Sequence, residues 1–382
     1  MTCRLAIVTE IISPYRIPLF NALANCPGIE LHVIFLAETD LTLRQWEVHI
    51  EEINFRYRVL RSWRRRIAGY NVLLNRGIGD ALTETAPDVI LCGGYNYPAS
   101  WQALLWARNH NTPFLLWSES NIQDLRRGHA LVELLKSEFL RQCSGFVVPG
   151  KSAREYLKTF GINENRIFTA RNAVDNGYFA AAAAEARANA ERWRADLRLP
   201  TRYFLFVGRL VKEKGIFDLL AAYAKLDPSL RQQVGLVFAG DGACRPELER
   251  QAADISPGNI RFAGFAQRER LAMYYALSEM LILPTYTDPW GLVVNEAMAC
   301  GLPVIVSELA GCSADLVKDN WNGFLCVPGD LDLLADRMKA IAISRDKAAT
   351  MAMNSFEHIS TYSPEEWAQG IVQATSTCGE GR

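Results

Sequence analysis

The sequence of 382 residues is long enough for two domains, and its 49% hydrophobic and 22% charged content is typical of a soluble globular protein. A net charge of −1 argues against a general nucleic-acid-binding protein, and the absence of any run of about 20 apolar residues argues against a membrane span. The nine cysteines have neither zinc-site nor redox-motif spacing and the N-terminus lacks a signal-peptide layout, so we expect reduced thiols in a cytoplasmic protein.

Residues 1–178 alternate between strand-like and helix-like patterns. Short apolar runs predict strands at 4–9, 30–37, 88–92, 113–117, 146–148 and 166–170. Helices or loops follow each of these runs. This order predicts a doubly wound, Rossmann-like domain built on a parallel sheet.

A polar and aromatic segment at 39–68 interrupts this alternation and contains the basic run 61–66. We interpret the run as a solvated loop. Its alternative role is to grip the phosphate of a lipid-linked acceptor or to lie against a membrane surface. Helical spacing returns at 71–85.

Three polar residues of this first domain are candidates for contact with a substrate. Tyr15 and Arg16 follow the first strand, and Glu119 follows the strand at 113–117. Parallel α/β sheets bind ligands at the carboxyl ends of their strands, which is where these residues are expected. Glu119 has the alternative of being an ordinary surface turn residue.

The Ala-rich stretch 179–200 has little hydrophobic periodicity and predicts an exposed linker helix between domains. A second Rossmann-like domain is expected at 201–362. The last helix, within 363–382, is expected to pack back on the first domain.

A glycine-containing basic turn follows the first strand of the second domain. Gly208 ends that strand, and Arg209 and Lys214 flank the turn. Arginine suits bidentate phosphate contact and lysine acts as a compact point charge, so the two can converge on one anion. Taken alone, the turn has the alternative of being simply solvated.

A strand, turn and helix at 280–301 form the second candidate for anion binding. The helix begins at Gly291, and its first N–H groups, near Leu292 and Val293, suit a phosphate. Asp288 and Glu296 stand eight residues apart, about two helical turns, on either side of this position. A nucleotide sugar presents phosphate between two sets of hydroxyls. The alternative is an N-cap and an ordinary helical glutamate.

These motifs resemble those of the family-4 (group 1) retaining glycosyltransferases. The turn at 208–215 is similar to the family's G-R-L…K-G diphosphate clamp, the segment 288–305 to its E-x7-E signature, and 262–265 to its base-reading loop. Asp288 departs from the pattern, because the family has glutamate there. The resemblance implies the B-type glycosyltransferase architecture, with two doubly wound Rossmann-like domains facing a central cleft.

The resemblance also implies roles for individual residues. Arg209 and Lys214 would neutralise the departing diphosphate, Glu296 would hold the ribose and Asp288 the transferred sugar. The remaining implied donor contacts are Gly208, Phe265, Trp290, Gly291, Leu292, Val293 and Asn295. No cofactor and no metal are expected.

The expected function is transfer of a hexosyl unit, with retention, from a UDP- or GDP-linked sugar to a saccharide or lipid-linked acceptor in bacterial polysaccharide or glycoconjugate synthesis. Peripheral contact with the inner membrane surface is a further expectation, and nucleic-acid binding is not expected. The alternatives are a nucleotide-sugar epimerase, a phosphorylase of the same fold, or a non-catalytic nucleotide-sugar-binding protein.

Overall fold

Short apolar runs of the sequence form the buried central strands of two parallel sheets. Every residue of the runs at Val89–Cys92 and Tyr203–Val207 is buried, as expected for strands covered on both faces. The structure is a computed structural model that describes residues 2–39, 46–67, 70–124, 130–256 and 258–379. Its contacts define unit 1, Met1–Asn172 with Pro364–Arg382, and unit 2, Ala173–Ser363.

Unit 1 contains a seven-stranded sheet and a separate two-stranded sheet. Its strands are β1 (Cys3–Ile11), β2 (Ile29–Ala37), β3 (Arg56–Val59), β4 (Arg61–Ile67), β5 (Tyr70–Arg76), β6 (Val89–Cys92), β7 (Phe114–Trp117), β8 (Gly145–Val148) and β9 (Ile167–Thr169). The larger sheet has the order β3-β2-β1-β6-β7-β8-β9, with parallel pairing throughout, and β4 pairs with β5.

Helices cover the larger sheet of unit 1. They are α1 (Ile17–Ala24), α2 (Ile78–Thr85), α3 (Pro98–Asn109), α4 (Ala130–Gln142), α5 (Lys151–Lys158) and α16 (Pro364–Gly379). The final helix, α16, buries Trp367 completely, with ring centroids 5.9 Å from Phe20 and 5.2 Å from Trp117. Residues 380–382 of the predicted last helix lie outside the described residues.

The basic run 61–66 forms a strand, so its interpretation as a loop is wrong. The expected helix at 71–85 is also wrong over its first half, where β5 lies, and α2 begins only at Ile78. Antiparallel pairing from Arg61↔Arg76 to Ile67↔Tyr70 decides both elements. Local spacing cannot reveal a partner strand, because pairing is a tertiary interaction. Residues 40–45 and 68 of the polar segment lie outside the described residues.

Unit 2 is built on a six-stranded parallel sheet. Its strands are β10 (Tyr203–Val207), β11 (Gly235–Ala239), β12 (Ile260–Gly264), β13 (Met280–Leu283), β14 (Val304–Ser307) and β15 (Gly323–Cys326). Their order is β12-β11-β10-β13-β14-β15. Two doubly wound Rossmann-like units confirm the predicted fold class.

Ten helices are assigned among the described residues of unit 2. They are α6 (Asn176–Ala188), α7 (Ala190–Asp196), α8 (Ile216–Lys225), α9 (Pro228–Gln233), α10 (Arg245–Ile255), α11 (Arg268–Leu277), α12 (Leu292–Ala299), α13 (Ser313–Leu316), α14 (Leu331–Ile343) and α15 (Arg345–Ile359). No helix of the described ranges is both long and apolar enough to cross a membrane.

The Ala-rich stretch 179–200 differs from the exposed linker that its composition suggested. It forms α6 and α7 within unit 2, where Phe179, Ala183 and Ala186 are buried in the hydrophobic core. Small alanine side chains let this helix pack closely, and their weak contribution to hydrophobic periodicity hid the buried face.

The strand order of each sheet fixes where a ligand can bind. The order reverses between β10 and β13 in unit 2, and between β1 and β6 in unit 1. The loops that leave the two central strands diverge at such a switch point and leave a crevice beyond their carboxyl ends.

We predict that Trp367→Ala lowers the free energy of unfolding by about 3–5 kcal/mol, because the substitution leaves a large cavity among Phe20, Trp117 and the rest of the α16 interface. Urea denaturation followed by circular dichroism measures the effect. Leu134→Ala, at a position that is 59% exposed on α4, is the control and should stay within about 0.5 kcal/mol. Equal midpoints for the two variants would contradict the prediction.

Candidate functional site

Two loops of unit 2 approach each other at its switch point. One leaves β10 at Gly208 and reaches Gly215, and the other leaves β13 at Pro284. Gly215 has a φ of +67°, and a Cβ built there would lie 2.0 Å from the Pro284 carbonyl oxygen. Only glycine permits this approach, which explains why glycine follows Lys214 in the motif.

A mostly buried ion pair joins the two loops. Lys214 Nζ lies 2.6 Å from Asp288 Oδ2 and donates to the Thr287 carbonyl oxygen at 3.1 Å. The two charged side chains are only 12% and 18% exposed. An ammonium has three N–H donors, so these two contacts leave one for a ligand.

The buried Thr285 also connects these two loops through hydrogen bonds of its hydroxyl group. Its Oγ1 lies 3.0 Å from the Glu213 carbonyl oxygen and 2.8 Å from the Thr287 carbonyl oxygen. The Tyr286 N–H also donates to the Glu213 carbonyl, at 2.9 Å. These bonds fix the backbone on both sides of Lys214.

Arg209 occupies the same β10 loop but extends into solvent. Its side chain is 64% exposed, and its Nη2 lies 3.3 Å from Glu213 Oε1. An exposed ion pair of this kind contributes little to stability, so Arg209 is available to an incoming anion at small cost.

The β13 loop is pinned where it enters α12. The Gly311 N–H donates to the Asp288 carbonyl at 3.0 Å, and the Cys312 N–H donates to the Trp290 carbonyl at the same distance. A Cβ on Gly311 would lie 1.8 Å from the Pro289 carbonyl oxygen, so this contact also requires glycine. Asp288 is therefore held by backbone on one side and by Lys214 on the other.

The start of α12 lies directly beside Asp288. Gly291 adopts the left-handed conformation at φ +97°, and a Cβ there would lie 3.8 Å from Asp288 Cγ and 3.0 Å from a Leu283 methyl group. Leu292 and Val293 form the first turn, whose N–H groups have no partner within the helix. The positive end of the helix dipole thus lies next to the ion pair.

Trp290 and Asn295 support the turn from inside. The Trp290 indole Nε1 donates to Asn295 Oδ1 at 2.9 Å, and both residues are almost fully buried. The structure therefore does not bring these two side chains, expected as donor contacts, to the surface of the crevice.

Glu296 is a buried carboxyl group with one unsatisfied oxygen. Its Oε2 accepts from the Tyr275 hydroxyl at 2.6 Å, and its Oε1 has no hydrogen-bond partner among the residues that the structure describes. Burial raises the pKa of Glu296 to about 7, against the opposing effect of the Tyr275 hydrogen bond. A hydroxyl group of a ligand is the kind of donor that Oε1 lacks.

Gly208 follows β10 and Phe265 follows β12, the two strands that flank β11 in the sheet of unit 2. Gly208, at φ +151°, is so close to the end of β11 that a Cβ on Gly240 would lie 1.9 Å from the Gly208 carbonyl oxygen. Phe265 follows β12 and is 43% exposed. An exposed aromatic ring at the carboxyl edge of the sheet can stack on a planar ligand group.

The three candidates of unit 1 lie close to one another. Arg16 Nη2 lies 2.9 Å from Glu119 Oε1, which also accepts from Asn172 Nδ2 at 3.0 Å. The Arg16 guanidinium lies 3.8 Å above the Trp117 ring, and its Nη1 is buried without a hydrogen-bond partner among the described residues. Tyr15 packs edge-on against Trp46.

Sequence reasoning missed Tyr275 and Thr285. Tyr275 lies on α11, and only the packing of α11 against α12 brings its hydroxyl to Glu296. Thr285 follows Pro284 in an unremarkable polar turn. No local sequence pattern identifies either residue, because each forms its hydrogen bond with a segment distant in sequence.

The acidic pair Asp330 and Asp332 resembles a metal-binding D-x-D only in sequence. Asp330 caps α14 by accepting from the Leu333 N–H at 2.9 Å, while Asp332 pairs with Lys225. Within the described ranges, no three His, Cys, Asp or Glu side chains group in a way that could hold a metal ion.

Two family models match consecutive parts of the chain. The model described as "Glycosyl transferases group 1" matches residues 189–358, and the model described as "Glycosyltransferase Family 4" matches residues 19–177. The first match contains the whole of the switch-point site in unit 2.

Curated relatives match over part of their length. A D-inositol 3-phosphate glycosyltransferase of Thermomonospora curvata is 28% identical over 53% of this chain and 50% of its own. The O-antigen chain mannosyltransferase B of Escherichia coli is 26% identical over 58% of this chain and 54% of its own. An uncharacterized glycosyltransferase of Methanocaldococcus jannaschii is 34% identical over 35% and 34%. The matched regions thus span about a third to a half of these relatives.

Solved structures match over nearly the whole chain. Anabaena HepE in complex with UDP has a TM-score of 0.77 at 18% identity and covers 99% of this chain and 100% of its own. The sucrose-phosphate synthase of Thermosynechococcus elongatus has a TM-score of 0.72 at 21% identity, with 98% of both chains covered. These likenesses show that the fold is shared.

We predict that Glu296 makes the stability of the protein fall between pH 4.5 and about 7. In this window the native protein keeps a proton that the unfolded chain has released, because the folded pKa is the higher one. The contribution is complete below pH 4.5, is lost as the pH rises through the folded pKa, and amounts to about 3 kcal/mol.

Glu296→Gln removes this titration, so the stability of the variant relative to wild type should rise across the same window. Chemical denaturation at a series of pH values measures the difference. Glu308→Gln, at an exposed position, controls for the substitution itself. Parallel curves for wild type and Glu296→Gln would show that Glu296 is not a buried protonated group.

Proposed function

The chain belongs to the group 1 glycosyltransferase family, and from this premise we propose that it transfers a hexosyl unit from a UDP- or GDP-linked sugar to a saccharide or lipid-linked acceptor, with retention of configuration. The family's reaction class and the presence of UDP in the Anabaena HepE structure support this donor class.

The observation that carries the proposal is the pairing of opposite charges at the β10–β13 switch point. Lys214, Asp288 and the first turn of α12 meet there, and Glu296 lies one turn further along the helix. A cation and helix N–H groups match a diphosphate, and carboxylates on both sides match the hydroxyls of a ribose and a hexose.

Glu296 is assigned to the ribose and Asp288 to the hexose. Glu296 Oε1 lacks a donor and so can accept from a ribose hydroxyl. Both oxygens of Asp288 already accept bonds, from the Trp290 N–H and from Lys214, yet each carboxylate oxygen has a second acceptor site. The short side chain and the ion pair hold this carboxylate close to the loop, where family members have the longer glutamate.

The proposed reaction needs no catalytic base from the protein. The bond between the anomeric carbon and the diphosphate oxygen breaks while Arg209, Lys214 and the α12 N-terminus stabilise the charge on the leaving group. The acceptor hydroxyl oxygen bonds to the anomeric carbon on the face that the leaving group vacates. Its proton passes to an oxygen of the departing diphosphate.

We assign the acceptor to Tyr15, Arg16 and Glu119 of unit 1. The buried, unsatisfied Nη1 of Arg16 and the carboxylate of Glu119 offer a donor and an acceptor to a polar group. A cytoplasmic location is proposed as well, since all nine cysteines, each of them in the described part of the chain, are free thiols. A lipid-linked acceptor would bring the protein to the inner membrane surface.

Mass spectrometry of candidate donors incubated with the protein tests the function. Release of UDP or GDP with a glycosylated acceptor supports transfer, and NMR of the new anomeric centre reads its configuration. Interconverted nucleotide sugars would indicate an epimerase, sugar phosphate formed from inorganic phosphate would indicate a phosphorylase, and binding without turnover would indicate a sensor.

We predict that Lys214→Ala and Arg209→Ala each lower kcat by about 10²- to 10³-fold, because each removes a charge that stabilises the leaving diphosphate. Lys212→Ala is the matched control, as it removes an exposed lysine from the same loop and should keep wild-type kcat. Circular dichroism establishes folding of all three variants. Wild-type kcat in both site variants would remove them from the mechanism.

We also predict that the transfer reaction survives dialysis against EDTA, since Lys214, Arg209 and the helix N-terminus supply the positive charge that a metal supplies elsewhere. Initial rates before and after chelation, and after adding back Mg²⁺ or Mn²⁺, measure this. Loss of activity that either ion restores would show that the proposed clamp is incomplete.

A further inference from the structure

The hairpin of β4 and β5 presents two different faces. Residues directly opposite each other in an antiparallel pair share a face, and the side alternates along each strand. One face therefore carries Arg64 and Leu73, and the other carries Arg61, Trp63, Arg65, Val72, Leu74 and Arg76. We call the second set the outer hairpin face.

The first face attaches the hairpin to unit 1. Leu73 is buried, and Arg64 lies 3.4 Å from Glu10 Oε1 at the end of β1. Asn75, its neighbour on this face, donates to the Leu36 carbonyl at the end of β2. The hairpin is thus held in a fixed orientation, and on its other face Trp63 and Leu74 remain about half exposed among the described residues.

The outer hairpin face is apolar at its centre and basic around it. Trp63 and Leu74 are directly paired and remain 50% and 45% exposed. Arg61, Arg65 and Arg76 are exposed, and none forms an ion pair with another residue of the described ranges. The face itself contains no acidic residue.

A concave surface lies at the open end of the hairpin and includes residues of both faces. A pocket of about 690 Å³ is lined by Arg61, Ser62, Trp63, Leu74, Asn75 and Arg76, the three consecutive cross-strand pairs at the open end of the hairpin. Two guanidiniums beside a Trp–Leu pair match a phosphate group attached to hydrocarbon. Tryptophan prefers the level of lipid headgroups, and arginine binds phosphate through paired donors.

We infer that the outer hairpin face docks on an anionic phospholipid bilayer. The charge of the three exposed arginines selects anionic headgroups, and Trp63 with Leu74 enters the interface between headgroups and acyl chains. The inference does not rest on the proposed glycosyl transfer, because it concerns binding to lipid in the absence of any donor.

Cosedimentation of the full chain with lipid vesicles tests the inference. Wild type should bind phosphatidylcholine vesicles that contain about 30% phosphatidylglycerol, should bind pure phosphatidylcholine weakly, and should be released by high salt. Each basic residue near an anionic surface raises the binding constant about fivefold, so Arg61→Gln, Arg65→Gln and Arg76→Gln together should lower it about 100-fold. Trp63→Ala should lower it roughly tenfold.

A charge-matched control separates the hairpin from overall charge. Arg198→Gln, Arg250→Gln and Arg345→Gln together remove three exposed arginines of unit 2 and should leave vesicle binding unchanged. Thermal melts establish that every variant folds. Unchanged vesicle binding by the hairpin triple variant would overturn the inference, as would an equal loss in the control.

Three further outcomes would also overturn it. Release by inorganic phosphate at constant ionic strength would indicate a site for single phosphates, and binding to single-stranded DNA but not to vesicles would indicate a nucleic-acid surface. A lipid-free dimer that the hairpin variant abolishes, seen by analytical ultracentrifugation, would show that a second copy covers the face. None of these binding measurements depends on transferase activity, so loss of that activity alone neither supports nor contradicts the inference.

Discussion

The ion pair between Lys214 and Asp288 is the interaction on which the candidate site depends. It joins loops that leave two adjacent parallel strands and approach so closely that a Cβ on Gly215 would overlap the Pro284 carbonyl oxygen. Two charges that are both mostly buried stabilise each other only at short range, so the 2.6 Å contact needs both backbones in place. Thr285 and Gly311 hold those backbones from either side.

The electrostatics of the site follow from this arrangement. Asp288 neutralises the charge of Lys214, so Lys214 and the positive end of α12 can lie close together even when no anionic ligand is bound. Glu296, one turn along the helix, is buried, and its pKa is raised to about 7, so it keeps its proton to near neutral pH. The chemistry of the site suits a dianionic group flanked by hydroxyls. Lys214 and the first N–H groups of α12 are hydrogen-bond donors, and the carboxyl groups of Asp288 and Glu296 on either side are acceptors.

The two units share a fold and differ in the features added to it. Unit 2 places a mostly buried ion pair at its switch point, whereas unit 1 adds a hairpin outside its main sheet and carries a basic, aromatic surface there. The hairpin leaves the parallel sheet intact, since it lies between β3 and α2 in the chain and forms a sheet of its own. A change to that surface can therefore alter binding without altering the core.

The sequence alone determined the two-domain fold class and the parallel strands, and it identified Arg209, Lys214, Asp288 and Glu296 as candidates, because buried apolar runs and motif spacing are local properties. It did not reveal the β4–β5 hairpin, the packed state of α6 or the Tyr275–Glu296 bond. Each of these depends on which distant segment a residue meets, and local propensity carries no record of that partner. Only the tertiary structure also decided that Trp290 and Asn295 bond to each other inside the protein, since side-chain direction depends on packing.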